Sequence, residues 1–410
     1  MATLQPLDRR DFLKGLLGGT AAVTLGLGLV PPIVEGQASG KGNPFNVRDF
    51  GAQGDGKTDD LAAFNAALGQ VNAAGGGSLY IPSGIYMLSG SVNLIGKTTV
   101  YGNGMGATVL MLADGVTQDV VGLVRTLDIA DIPDVSQVMI SDLTLDGNRA
   151  KQTSGEHYGF YCGTDIEGSR QHQIGCWRVE VRNFRGYGFD PHERTERVSI
   201  IECISHDNGR DGITLDHVLD GVVRSCVSFN NDRHGFNLIT ASGNVVIDQC
   251  ISHNNGANGF TIQNESSDVQ ITTSIAYANH TDGIYCVDVN DNMITNNQVY
   301  LNLENGIRIR GCARTTVTGN RLRDNSQSEH DRFSEIILDN DDINPTIDTA
   351  VIANHVTCTG DVRARYGIRE TPGEGSLLQA RNAFIANKVS GGSTSDYGLS
   401  SDSSFRDLGA

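Results

Sequence analysis

Aromatic residues are scarce in this sequence, 6% of 410 positions with a single Trp, and there are only 9 Pro and 6 Met. That scarcity excludes a core built on a few bulky rings and points to many small layers. Positive charge is also short. The 31 Lys and Arg against 48 Asp and Glu leave a net charge of −17, which excludes nucleic acid as a partner of the molecule as a whole. Past Val30 no apolar run approaches spanning length, so no membrane span is expected in the mature chain. No Cys/His cluster has zinc spacing. What is abundant is Gly, at 50 residues, together with many Asn. Both supply the φ > 0 positions of repeated tight turns, so the composition predicts an all-β architecture.

The N-terminus stands apart. In "DRRDFLK", Arg9 and Arg10 precede an apolar run that reaches Val30, and Gly36-Gln37-Ala38 offers a small-residue cleavage site. This pattern predicts a twin-arginine-type signal peptide over residues 1–38 and a secreted or periplasmic product. Pro31 and Pro32 close the run before it is long enough for an anchor. The remaining residues, 39–410, read as one domain, expected to be a monomer.

Repeats organise that domain. The segments "GRDGITLD", "DRHGFNLI", "GANGFTIQ", "HTDGIYCV" and "LENGIRIR" place Gly212, Gly235, Gly259, Gly283 and Gly306 at intervals of 23, 24, 24 and 23 residues, and Gly188 precedes them by 24. Four residues before five of these glycines stand Asn208, Asn231, Asn255, Asn279 and Asn302. An Asn at one position of every coil reads as an amide ladder, each side chain donating to one neighbour and accepting from the next. With β-branched runs such as "VSII" and "VVIDQ", the period predicts a right-handed parallel β-helix from about residue 45 to 390. The Leu skeleton of a leucine-rich horseshoe is missing. "TDDLAAFNAALGQVNAAGGG" spaces Leu61, Phe64, Leu68 and Val71 on one helical face, with Thr58 and Asp59 as caps and a stop at Gly75. This is the expected α-helix closing the N-terminal coil. Cys203, Cys226 and Cys250 share one repeat position, as stacked buried thiols or, with adjacent coils about 4.8 Å apart, as a bridged pair.

The period registers side chains without coordinates. The second and fourth residues after each Gly share one face of an extended strand. They are Asp190/His192, Thr214/Asp216, Asn237/Ile239, Thr261/Gln263, Tyr285/Val287 and Arg308/Arg310, mostly polar and therefore outward. Asp216 is thus expected one coil from His192. Pro191, which cannot donate to a sheet ladder, predicts a bulge there. Tyr187, Asp190, His192 and Asp216 form one candidate catalytic cluster. Arginines at 178, 182, 185, 194, 197, 210, 224 and 233 offer a local basic groove on an acidic protein.

At these residues the chain resembles the catalytic modules of secreted mannuronan C-5-epimerases. "YGFDPHE", "SHDNGRDGITLD" and "NNDRHGFN" carry the specific part of the resemblance, and "LTLDGNRA" continues it upstream. "NVRDFGAQGDGKTDD" is shared more broadly by lyases and hydrolases of the pectin-lyase type. The resemblance implies an active site at Tyr187, Asp190, His192 and Asp216, with Glu193, Arg233, His234 and Asn237 against the substrate and no organic cofactor. It also implies a Ca²⁺ whose ligands the sequence does not assign. The family's lysine is missing: its place falls in "SGEHYG", near Glu156 and His157. The calcium-binding nonapeptide repeats of modular members are not seen before "SDYGLSSDSSFRDLGA".

The residue types suit inversion at C-5 of a uronate in an acidic polysaccharide. A base must remove the proton α to a carboxylate and an acid must return one to the opposite ring face. His192, oriented by Asp216, suits the first role and Tyr187 the second, or the reverse. Asp190 or Arg233 is expected to hydrogen-bond the uronate carboxylate. Arg308 and Arg310, on the same column, are expected to hold carboxylates of more distant sugars. A uronan lyase shares the first step and expels O-4 instead. A hydrolase needs aspartates clustered on adjacent coils, which Gly188–Gly306 lacks. A non-catalytic carbohydrate-binding solenoid has no use for the Tyr187/His192/Asp216 cluster.

Overall fold

A computed structural model describes residues 43–126, 135–340, 345–371, 381–399 and 404–406. The expected signal peptide lies outside these residues, as do parts of the "DNDDINP" and "ETPGEG" loops. The described chain winds into a parallel β-helix. A typical coil gives one strand to a 12-stranded sheet and two to a 25-stranded sheet. Phe236–Ile239, Gly243–Asp248 and Ile251–His253 make one coil, and Phe260–Ile262, Ser267–Thr272 and Ile275–Tyr277 the next. Inside the smaller sheet, Phe160, Phe189, Ile213, Phe236, Phe260, Ile284, Ile307, Ile336 and Ile368 align coil to coil. All nine are at most 1% exposed, so each coil buries one apolar residue against the same residue of its neighbours.

The Asn column forms as read. Asn208, Asn231, Asn255 and Asn279 each donate from Nδ2 to Oδ1 of the next, at 2.9 to 3.0 Å, and Asn302 continues to Asn325 at 2.8 Å. Each of these Oδ1 atoms also accepts the preceding Asn's backbone N–H, as Asn231 Oδ1 does from Asn208 at 3.2 Å. The ladder explains the repeat glycines differently from the turn argument. None of Gly188, Gly212, Gly235, Gly259, Gly283 or Gly306 has positive φ. A Cβ on Gly235 would lie 2.0 Å from Ser252 Oγ, 2.7 Å from Asn255 Nδ2 and 2.8 Å from Gly259 O, so Gly is required by the serine hydroxyl, the ladder amide and the backbone packed against it. Positive φ is instead carried by non-glycine residues, Ser225, Gln249, Thr273 and Asn296, at the bend between the two strands of the larger sheet.

The cap is an α-helix, Leu61–Ala73, burying Phe64, Ala67, Leu68 and Val71. Its N-cap is Asp60, one residue past the expected pair. The Asp60 carboxylate accepts from Gln53 and Gly54 N–H, while Asp59 Oδ1 accepts from Leu61 N–H at 3.1 Å. The cysteines are stacked thiols: all eight are buried and free, and Cys226 and Cys250 donate to carbonyls of the preceding coil at 3.3 and 3.5 Å.

Candidate active site

The outward column is the one the period gave. Thr214 registers with Asn237, Asn237 with Thr261, Thr261 with Tyr285, and Tyr285 with Arg308. Tyr187 stands just before the strand Phe189–Pro191 and His192 just after it, so the two flank Asp190. Toward the following coil only Phe189 registers, with Ile213, so the ladder stops before Pro191 as its missing N–H predicts, while pairing with the preceding coil extends through Pro191. Pro191 lies on that strand opposite Cys162, and the next N–H, of His192, reaches Cys162 O at 2.6 Å.

His192 Nε2 lies 3.3 Å from Asp216 Oδ2, across one coil. The ring stacks on Tyr161 at 5.7 Å, and the Arg125 guanidinium lies 5.3 Å over Tyr161. His192 Nδ1 is covered and has no hydrogen-bond partner, with Glu193 Oε1 3.7 Å away. Asp216 therefore does not sit behind the ring, holding the far nitrogen. It shares Nε2, the nitrogen left for chemistry. Burial raises the Asp216 carboxyl above its ordinary value, and the charge of His192 beside it opposes that shift.

Asp190 is 1% exposed, and neither of its carboxylate oxygens has a hydrogen-bond partner. Burial, reinforced by the charges of Asp216 and Asp211 on the next coil, pushes its pKa well above the usual range and disfavours the charged form. Three aspartates of adjacent coils thus lie within electrostatic reach, where no such cluster was expected from the sequence. Tyr187 is half-buried. Its hydroxyl is 3.5 Å from Arg233 Nη1, its ring meets Tyr158 edge-on at 5.1 Å, and the Arg210 guanidinium lies 5.1 Å from its centroid. Burial raises the phenols of Tyr158 and Tyr161, keeping both protonated.

The remaining expected residues divide into groove and wall. Arg233 Nε reaches Asp211 Oδ1 at 3.4 Å. Glu193 Oε2 pairs with His217 Nδ1 at 3.0 Å. Asn237 is 2% exposed, donating to Asp211 and accepting from Gln263, both at 2.9 Å. His234 Nδ1 accepts from Asn258 N–H at 3.2 Å, and burial lowers its pKa, so it is a neutral member of the wall. Arg308 and Arg310 lie five coils from His192, outside this cluster.

Two groups here, Asp211 and Arg125, were not singled out from sequence, and Arg210 was named only as one arginine of a basic groove. Asp211, 0% exposed, accepts from His234 N–H and Asn237 Nδ2 at 2.9 Å while holding Arg233. Arg125 supports the Tyr161/His192 stack. Arg210 donates from Nη2 to Glu156 at 3.1 Å, so a guanidinium stands where the resemblance asked for a lysine. Asp211 was legible: it precedes Gly212 as Tyr187 precedes Gly188.

The side-chain cluster at this site is not by itself a calcium cage. Among the described residues, one group of three or more His, Cys, Asp or Glu side chains lies within ligating distance, His192, Glu193 and Asp216. It offers an imidazole and two carboxylates, whereas Ca²⁺ takes six to eight oxygens.

Residues 44–261 match the family described as rhamnogalacturonase A/epimerase, pectate lyase-like, and residues 6–26 match a twin-arginine translocation signal. The product is therefore exported, and no described helix is long and apolar enough to cross a membrane. The chain is 37% identical over 382 residues to mannuronan C5-epimerase AlgE5 of Azotobacter vinelandii, covering 87% of this chain and 37% of AlgE5. It is 44% identical over 211 residues to alginate lyase 7 of the same organism, 49% of this chain and 24% of that one. The solved A-module of A. vinelandii mannuronan C-5 epimerase AlgE4 superposes with a TM-score of 0.78 at 31% identity, over 88% of this chain and 97% of the module. The chain belongs to the family of mannuronan C-5-epimerase A-modules, on the pectate-lyase-like parallel β-helix.

Proposed function

We propose that this protein inverts C-5 of uronate residues within a polymer, converting β-linked mannuronate to guluronate. The observation that carries this reading is the buried, partnerless Asp190 between Tyr187 and the His192/Asp216 pair. A buried carboxyl whose charged form is disfavoured and whose oxygens lack partners has a use if an anionic group arrives to accept its proton in a hydrogen bond. The uronate carboxylate is such a group, and Arg233 and Arg210 beside Tyr187 add positive charge for it.

The chemistry follows from the layout. One of Tyr187 and the His192/Asp216 unit takes the C-5 proton, and the electron pair of the C–H bond delocalises into the carboxylate. The dianion so formed is stabilised by the Asp190 hydrogen bond and the guanidiniums, where charge develops. The other group delivers a proton to the opposite face of C-5, and no bond of the polymer backbone breaks. Asp211 fixes Arg233 for this role, and one chain supplies all these groups.

Elimination is the second reading, favoured by the similarity to alginate lyase 7. It shares the first step, but the electron pair then expels O-4, which takes up a proton, leaving a C4–C5 double bond. Incubation with polymannuronate separates the two. Inversion leaves chain length unchanged by size-exclusion chromatography and creates no ultraviolet absorbance. Shortened chains with strong new absorbance would replace the proposal with the lyase.

A further inference from the structure

The groove does not end at the catalytic coil. The column of Tyr187 runs on through Asp211, His234, Asn258 and Asp282 to Asn305, each carbonyl accepting the N–H of the preceding coil's glycine. The column of Asp190 runs on through Thr214, Asn237, Thr261 and Tyr285 to Arg308, then Ile337 and Arg369. Between Arg233 and Arg308 this floor carries no cation. At its far end Asn305, Arg308, Arg332, Phe333 and Arg369, together with the carboxylate of Asp339, line a cavity of about 320 Å³.

We propose that this cavity is a second, distal subsite that binds a carboxylate of the same uronan chain whose other sugar sits at His192. The proposal rests on the uronan reading above and adds a place where the polymer is gripped. Its guanidiniums are held in place by rings: Arg308 lies 5.2 Å over Tyr285, Arg332 5.1 Å over Phe333, and Arg369 5.5 Å over Tyr366. Arg308 spends Nε and Nη2 on one oxygen of Asp339, and Arg332 spends Nη1 on Glu329. Each guanidinium has five N–H donors, so both keep donors for a ligand. Arg310, expected in the same role, hydrogen-bonds Tyr285 and does not line the cavity.

Spacing fits a polymer. Five coils at about 4.8 Å separate the Phe189 and Ile307 strands by about 24 Å, and a pyranose linked through O-1 and O-4 spans about one coil spacing. A chain of roughly six to eight sugars therefore reaches both ends, while a trimer reaches one. On a protein of net charge −17, two basic islands joined by a floor whose one acid, Asp282, is 2% exposed let a polyanion bind against the overall repulsion.

The test measures affinity for oligomannuronates of graded length by calorimetry, in a His192→Ala background so that chains are not consumed. Affinity should tighten about ten-fold between trimer and octamer, the scale of one or two charge-assisted hydrogen bonds. Arg332→Ala/Arg369→Ala should abolish that rise and leave trimer binding unchanged. Arg332→Glu, at a side chain 61% exposed, should do the same without disturbing the sheet. A length dependence that is absent, or that survives these substitutions, overturns the proposal. Failure of the epimerase reading would show separately, as wild-type protein that binds long chains in this way and gives no inverted product.

Discussion

A carboxyl with both oxygens buried and unpartnered weakens a fold, and Asp190 is such a group. Its pKa is raised on folding, so its contribution is fully present below the unfolded value near 3.8 and is lost as pH rises above it. Asp190→Asn has no such slope. Relative to wild type, its thermal midpoint should gain as pH rises above about 4 while turnover is lost, measured by scanning calorimetry beside an activity assay. A variant that loses stability equally at every pH would show that Asp190 is structural. The proposed proton-transfer pair is probed by His192→Ala and Tyr187→Phe, each expected to cost about 10² to 10⁴ in kcat with the fold intact by circular dichroism. Asp216→Asn should change the shape of the pH–rate profile, because it removes the group sharing His192 Nε2. A uniform fall at all pH values would place Asp216 in the scaffold instead.

At the scale of the element, the Asn ladder ends on an acid. Asn325 donates its backbone N–H to Glu335 Oε1 at 2.9 Å and its Nδ2 to Oε2, and burial raises the Glu335 carboxyl to about 7. Asp282, also buried, is raised to about 6. Both contribute stability that is present below about pH 4 and lost as pH rises through these values. For Glu335 the full span is about 3 kcal/mol by linkage. Glu335→Gln should therefore flatten the fall in thermal midpoint between pH 5 and 8, while lowering it at pH 5 through one lost hydrogen bond. An unchanged slope would contradict this assignment. The ladder was legible because a 24-residue period keeps identical chemistry in register. Arg125 and Tyr161 were not, because their coils precede the regular period: Gly159 stands 29 residues before Gly188, so counting cannot align them. The burial of Asp190 was hidden for another reason. A polar residue on an outward column reads as exposed, and only the neighbouring coils reveal that the groove covers it.

For the whole molecule, fold and family come from one feature, a stacked coil with a groove along its outward column. Its net charge of −17 sets a polyanion at a disadvantage that Arg125, Arg210 and Arg233 must offset locally. What distinguishes this reading from a lyase on the same scaffold is the fate of one carbon. Polymannuronate incubated with the enzyme in D₂O and followed by NMR reports that fate directly. The account predicts guluronate signals with solvent deuterium at C-5 and intact chains. Product carrying 4,5-unsaturation without deuterated guluronate would contradict it.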